Sequence, residues 1–138
     1  MADVLVDASY LVALGYVKDV YHTRAKSFGG TTQHNLLVPT VVLPEALYIL
    51  RRVGGINAAI RFGESLVIAQ MPLLPLLESD FVRALEIMQF YKNAELDFVD
   101  SCLTALAERM QITHICTFDR RDFSIIRPKH IDYFQLLP

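Results

Sequence analysis

Surplus positive charge is the first thing this chain lacks: 13 Lys and Arg stand against 15 Asp and Glu, a formal net charge of −2 over 138 residues. A protein that coats nucleic acid through a broad cationic surface is therefore excluded, and any phosphate chemistry has to be local. Cysteine is scarce as well. Cys102 and Cys116 form neither a paired framework nor a C-x-x-C clip, so two reduced, buried thiols are expected. Long apolar runs are missing too: Asp, Glu, Arg or Pro interrupts every window before the roughly 18 residues that a membrane span needs. The chain opens MADVLVDASYLVAL, with Asp3 and Asp7 where a secretory leader would carry basic residues, and the expectation is a cytoplasmic protein. Internal repeats and low-complexity linkers are also absent. With 53% apolar residues the chain is too hydrophobic to be disordered, and its length predicts one domain over 1–138.

What the chain does have is alternation of short apolar runs with helical periodicity. Val4–Val6 reads as a buried strand, and Leu11, Val12 and Leu14 give helical spacing over Ala8–Val17. Asp19–Phe28 is a second helix, with Val20, Ala25 and Phe28 on one face and Gly29-Gly30 as its stop. Leu36–Val38 is a strand closed by Pro39. Thr40 as N-cap and Pro44 in the first turn then introduce a helix running to Gly54-Gly55. Ile56–Ala69 continues as a helix, and Met71–Leu77, which contains Pro72 and Pro75, is at best an edge strand. Ser79 caps a helix whose apolar face is Phe81, Val82, Leu85 and Met88. The pattern over Leu96–Met110 is the strongest, with Val99, Leu103, Leu106, Ala107 and Met110 on one side and Glu108 and Arg109 facing away. A strand at His114–Phe118, a charged turn at Asp119–Asp122 and a last strand around Ile131–Phe134 complete the order. The predicted fold class is α/β, a small parallel sheet sandwiched by helices.

In such sheets the functional crevice lies beyond the carboxyl ends of the strands. Asp7 directly follows the first strand and Asp119 follows the Thr113–Phe118 segment. Glu45 lies in the first turns of the helix after the second strand, and Asp100 in the first turns of the helix before the fourth. Asp97, three positions earlier, shares a helical face with Asp100. An acid in a first turn is stabilised by the helix dipole without having any function, so none of these carries weight alone. Asp7 and Glu45 stand out because they interrupt the apolar runs VLVDASYLVAL and VVLPEALYIL, which contain no Lys or Arg. Carboxylates ~4 Å apart repel by roughly 4 kcal/mol at an effective dielectric near 20, so a converging set needs raised pKa values or a cation. Hard oxygen donors without clustered His or Cys select magnesium or manganese over zinc; His22, His34, His114 and His130 are scattered.

The stretches VLVDASYLVAL, DVYHTRA, LPEALYILRR and DFVDSCLTALAERMQITHICTFDRRDF occur in order along nearly the whole chain. In this set the sequence resembles PIN-domain ribonucleases, and within them the VapC toxins of VapBC toxin–antitoxin pairs. The resemblance implies magnesium-dependent hydrolysis of RNA, with one or two Mg2+ ions (or Mn2+). It makes Asp7, Glu45, Asp100 and Asp119 the catalytic acids. Asp7 and Asp100 are the expected direct ligands, joined by Glu45, Asp119 and Asp97 directly or through water. Ser9, Thr117 and Asp122 flank them to orient carboxylates or waters. Arg51, Arg52, Arg120 and Arg121 are the expected RNA-binding residues, with Arg127, Lys129 and His130 beyond, since the guanidinium fork suits phosphate. Implied partners are RNA, a cognate antitoxin that places a peptide in the acidic pocket, and a second copy in a homodimer.

Competing readings make different demands. A receiver-like signalling domain also gathers aspartates around magnesium, but it needs an acid pair after the first strand and a late Lys, whereas here Ala8 follows Asp7 and Arg120-Arg121 follow Asp119. A metal-dependent phosphatase needs an Asp-x-Asp pair that is likewise absent. A PIN fold that binds RNA without cleaving it does not need all four acids.

Overall fold

The computed structural model describes residues 1–138. Its strands are β1 (Asp3–Val6), β2 (Asn35–Pro39), β3 (Leu73–Leu74), β4 (His114–Cys116) and β5 (Gln135–Leu137). Its helices are α1 (Ala8–Gly15), α2 (His22–Thr31), α3 (Leu43–Gly54), α4 (Ile56–Ile68), α5 (Glu78–Phe90), α6 (Phe98–Met110) and α7 (Arg121–Ile125). All pairings are parallel, in the order β3-β2-β1-β4-β5, with Leu5 opposite both Leu37 and Ile115. β1 is central. A strand covered on both faces has no polar side to show, which is why Val4, Leu5 and Val6 are consecutive apolar residues, each fully buried. The chain builds outward from β1 to β3, then crosses back to lay β4 and β5 on the other side. The direction of winding therefore reverses between β1 and β4, and a crevice opens at their carboxyl ends.

α1 packs on α2 and α3, and α3 on α4, while α5 and α6 form a separate pair. α6 is buried nearly all round, and its hydroxyls bond back into their own helix, Ser101 to the Asp97 carbonyl (3.1 Å) and Thr104 to that of Asp100 (2.9 Å). Cys102 and Cys116 are free and fully buried. No helix is long and apolar enough to cross a membrane.

Several sequence expectations change in register or face. α2 begins at His22 and continues through Gly29 and Gly30, leaving Val20 exposed. A Cβ at Gly29 would lie 2.9 Å from the Tyr10 hydroxyl, which donates to the Ala25 carbonyl, so close approach, not helix termination, accounts for that glycine. Thr40 opens a short 3-10 turn (Thr40–Val42) and makes no side-chain cap, and Ser79 lies inside α5 rather than capping it. α5 buries Asp80, Ala84 and Ile87 and leaves Phe81, Val82 and Leu85 about half exposed, the reverse of the expected face. Two forked ion pairs select that rotation. Arg109 Nε and Nη2 donate to Asp80 Oδ1 and Oδ2 (2.8 and 3.0 Å), and Arg83 Nε and Nη2 donate to Glu108 Oε1 and Oε2 (2.7 and 3.1 Å). Glu108 and Arg109 thus turn their charged ends toward α5, although Arg109 stays partly open to solvent. The charged turn after β4 continues into α7. The last strand starts at Gln135, because Phe134 is used as a buried anchor against Phe123.

Candidate active site

Asp7 sits where β1 becomes α1. It occupies the N-cap position, yet its side chain makes no cap hydrogen bond. Instead Thr117, just beyond β4, donates its hydroxyl to Asp7 Oδ2 (2.8 Å), and Ser9 Oγ lies 3.1 Å from the same oxygen and 3.1 Å from Thr117 Oγ1. The Phe118 amide donates to Ser9 Oγ and the Asp119 amide to Thr117 Oγ1, both at 3.0 Å. These bonds lock the ends of β1 and β4 together around one carboxylate that is 5% exposed. Burial raises the pKa of Asp7; the bonds from Thr117, the Ala8 backbone and Ser9 pull it down, and Asp119 pushes it up again, for a net rise.

Asp100 enters from the first turn of α6 and is also buried. Its pKa is pushed up to about 9, first by burial, then by the charge of Asp7, a hydrogen bond shared with Asp122, and Asp97. Asp122 Oδ2 accepts the Asp97 amide (2.9 Å), and its Oδ1 is ion-paired with Arg121 (2.6 Å), so α7 is tied to the start of α6. Glu45 lies at the rim, exposed rather than buried, because the first turn of α3 opens toward the cleft. Its pKa is raised by partial burial and then by Asp7, Asp97 and Asp119. Asp97 and Asp119 are exposed at the same rim. The fold therefore gathers Asp7, Glu45, Asp97, Asp100, Asp119 and Asp122 from four separate stretches of chain.

None of the ion pairs in the molecule reaches Asp7, Glu45, Asp97, Asp100 or Asp119. No three of the donors close into a ligand cage as they stand. The donor set nevertheless fits a magnesium-type ion, which takes oxygen ligands, keeps several waters and needs only one or two direct carboxylates. The histidines are engaged elsewhere. His22 Nδ1 lies 2.8 Å from the Ala13 carbonyl, His130 Nε2 lies 2.6 Å from that of Ile112, and His34 and His114 pair at the amino ends of β2 and β4, the end of the sheet away from the acids.

The expected basic residues divide. Arg52 is seven positions after Glu45 on α3, on the same helical face, and is exposed. Arg51 instead lines an apolar groove of about 590 Å³ between α3 and α4, with Leu47, Tyr48, Ile60 and Val67. Arg121 is committed to Asp122 and to the Ala94 carbonyl (2.8 Å), so it is not a free phosphate ligand. Arg127 spends Nη1 on the carbonyls of Ser124, Ile125 and Ile126, and the Lys129 amide donates to Glu108. These two, with His130, lie on the descent toward the other end of the sheet and not at the cleft.

A PIN-domain family model matches residues 4–127. Ribonuclease VapC26 from Mycobacterium tuberculosis is 24% identical over 134 residues, covering 97% of this chain and 99% of that protein. The crystal structure of Mycobacterium tuberculosis VapC20, a toxin that cleaves the sarcin-ricin loop, superposes with a TM-score of 0.82 at 23% identity, over 93% of this chain and 98% of that one. DNA-bound VapBC from Salmonella typhimurium gives a TM-score of 0.69 at 15% identity, over 99% and 98% of the two chains.

Proposed function

This chain belongs to the PIN-domain family, and on that premise we propose that it is a metal-dependent endoribonuclease, the toxin of a type II toxin–antitoxin pair. The observation that carries this reading is a cluster of carboxylates at the β1/β4 crevice with raised pKa values at Asp7, Asp100 and Glu45 and no cationic side chain to balance them. Such a site is costly to build for stability alone. The similarity to a ribonuclease and to toxins of the same family supports it.

Asp7 and Asp100 would hold Mg2+ or Mn2+, one or two ions, with Glu45, Asp97 and Asp119 binding directly or through water. A bound divalent ion supplies a water of lowered pKa and neutralises charge on the scissile phosphate. The protein's own groups do the rest. Thr117 and Ser9 occupy one oxygen of Asp7 and orient its carboxylate, leaving lone pairs for the cleft. Asp122, braced by Arg121, holds the Asp97 amide and so sets the entry of α6, which aims Asp100. Glu45 at the open rim is placed to orient an attacking water. Arg52, on the Glu45 face of α3, carries the phosphate backbone past the site. An antitoxin is an implied protein partner, a reading supported by the similarity to a solved toxin–antitoxin complex from Klebsiella pneumoniae; a second copy of the chain is implied by the family resemblance alone.

Cleavage of a mixed single-stranded and structured RNA pool tests the proposal. Wild type with magnesium should cleave, and both chelator and Asp7→Asn should abolish cleavage. Activity that survives Asp7→Asn overturns the site. RNA binding by a folded, magnesium-loaded protein that cuts no RNA would make it a binding module instead.

A further inference from the structure

A stack of aromatic rings runs from the core to the surface beside the acid cluster. Tyr21, at the start of α2, lies flat on Phe118, with ring centroids 4.3 Å apart and planes within 4°. Phe118 lies near-parallel to Tyr10 in turn, at 6.2 Å and 22°, so the rings run from the core outward. Tyr10 at the inner end is 1% exposed, whereas Tyr21 at the outer end is 41% exposed. Phe118 covers one face of Tyr21, and the residue stays 41% exposed.

The stack is bonded to the acids. The Phe118 amide donates to Ser9 Oγ, whose hydroxyl lies against Asp7 Oδ2, and the residue after Phe118 is Asp119. It is also flanked by positive charge. Arg24, one turn along α2 from Tyr21, and Arg120, two residues after Phe118, both donate Nη2 to the Pro138 carbonyl, at 2.9 and 2.8 Å. Both are exposed, both are held on that one Pro138 oxygen, and each keeps further N–H donors. In a chain of net charge −2, this is a place where two exposed arginines stand beside a half-exposed aromatic ring. An open π-face together with backbone-tracking cations is what unpaired nucleotides require, and a duplex does not offer its base faces to such a ring.

We propose that Tyr21, backed by Phe118 and flanked by Arg24 and Arg120, is a stacking platform for an unpaired base of a single-stranded RNA whose backbone runs on into the acidic cleft. The assignment rests on the ribonuclease reading and adds to it a subsite built from Tyr21 and Phe118. Tyr21 carries no local signal in the sequence, because its stacking partner is far away in the chain.

The chain has no tryptophan, so Tyr21→Trp installs a single indole reporter. In an Asp7→Asn background with magnesium, binding is measured for a single-stranded RNA of about eight nucleotides and for its duplex. Tyr21→Leu should weaken single-strand binding about tenfold or more, Tyr21→Phe should stay within about twofold, and neither should change duplex binding. The indole emission should be quenched by the single strand and not by the duplex. Arg24→Gln and Arg120→Gln should each lower the salt slope of binding by about 0.7. A Tyr21→Leu protein with parental thermal midpoint and parental RNA affinity, or an indole silent at saturating RNA, overturns the platform while leaving the ribonuclease reading in place. A parent that binds no RNA overturns both.

Discussion

Thr117 decides the state of Asp7. Its hydroxyl is fully buried and donates the shortest bond that carboxylate receives, 2.8 Å, while accepting the Asp119 amide. Thr117→Val keeps the shape but leaves Asp7 Oδ2 short of a donor and the Asp119 amide without an acceptor. Burial then raises the Asp7 pKa further. RNA cleavage should fall about 10- to 100-fold, with a higher magnesium requirement, and Thr117→Ser should restore most of it. A magnesium titration of initial cleavage rates checks this, and equal curves for Thr117→Val and wild type would contradict it. Asp7 was conspicuous in the sequence because it interrupts an apolar run. Glu45 was equally conspicuous but proves to be exposed: a one-dimensional apolar context does not say which way a first helical turn faces.

α5 is where reading by element fails most clearly. Periodicity singled out Phe81, Val82, Leu85 and Met88, yet the buried set is Asp80, Ala84 and Ile87. Small residues let α6 approach, and the Asp80–Arg109 and Arg83–Glu108 forks then hold the pair in one rotation. Burial alone would raise the pKa of Glu108, but its bonds from Arg83 and the Lys129 backbone bring it below the usual carboxylate range. Arg109→Met leaves Asp80, 2% exposed, without its counter-ion. The cost should be about 2–3 kcal/mol in urea unfolding, below that of a fully buried pair because Arg109 is 38% exposed. Asp80→Asn in the Arg109→Met background should recover part of the loss, since an amide tolerates burial better than an unpaired charge. No recovery would mean that the fork matters for packing rather than for charge.

At the scale of the whole molecule the acid cluster sets a pH dependence. Asp7, Glu45 and Asp100 have folded-state pKa values above their ordinary ones, so the folded state binds more protons than the unfolded one. Stability is greatest below the ordinary carboxylate range and is lost as pH rises toward the folded value of Asp100, about 9. The thermal midpoint of metal-free protein should therefore fall from about pH 5 to about pH 9, and Asp100→Asn should remove most of the slope. Magnesium should raise the midpoint more at the upper end of that range, where the carboxylates are ionised and repel. A flat profile by circular dichroism would contradict the raised pKa values of these acids.

The order of strands and helices as far as β4 and the acids at strand ends were legible in the sequence, because periodicity and interrupted apolar runs are local properties. The register of β5, the buried face of α5 and the sorting of the arginines were not. Arg51 and Arg52 are neighbours in sequence, yet one lines an apolar groove and the other lies exposed on the Glu45 face of α3, and Arg121 is taken up by Asp122 and the Ala94 carbonyl. Each of these outcomes depends on partners that only folding brings near. So does the site itself: a hydroxyl 110 positions away holds Asp7, because parallel pairing of β1 with β4 brings their carboxyl ends together.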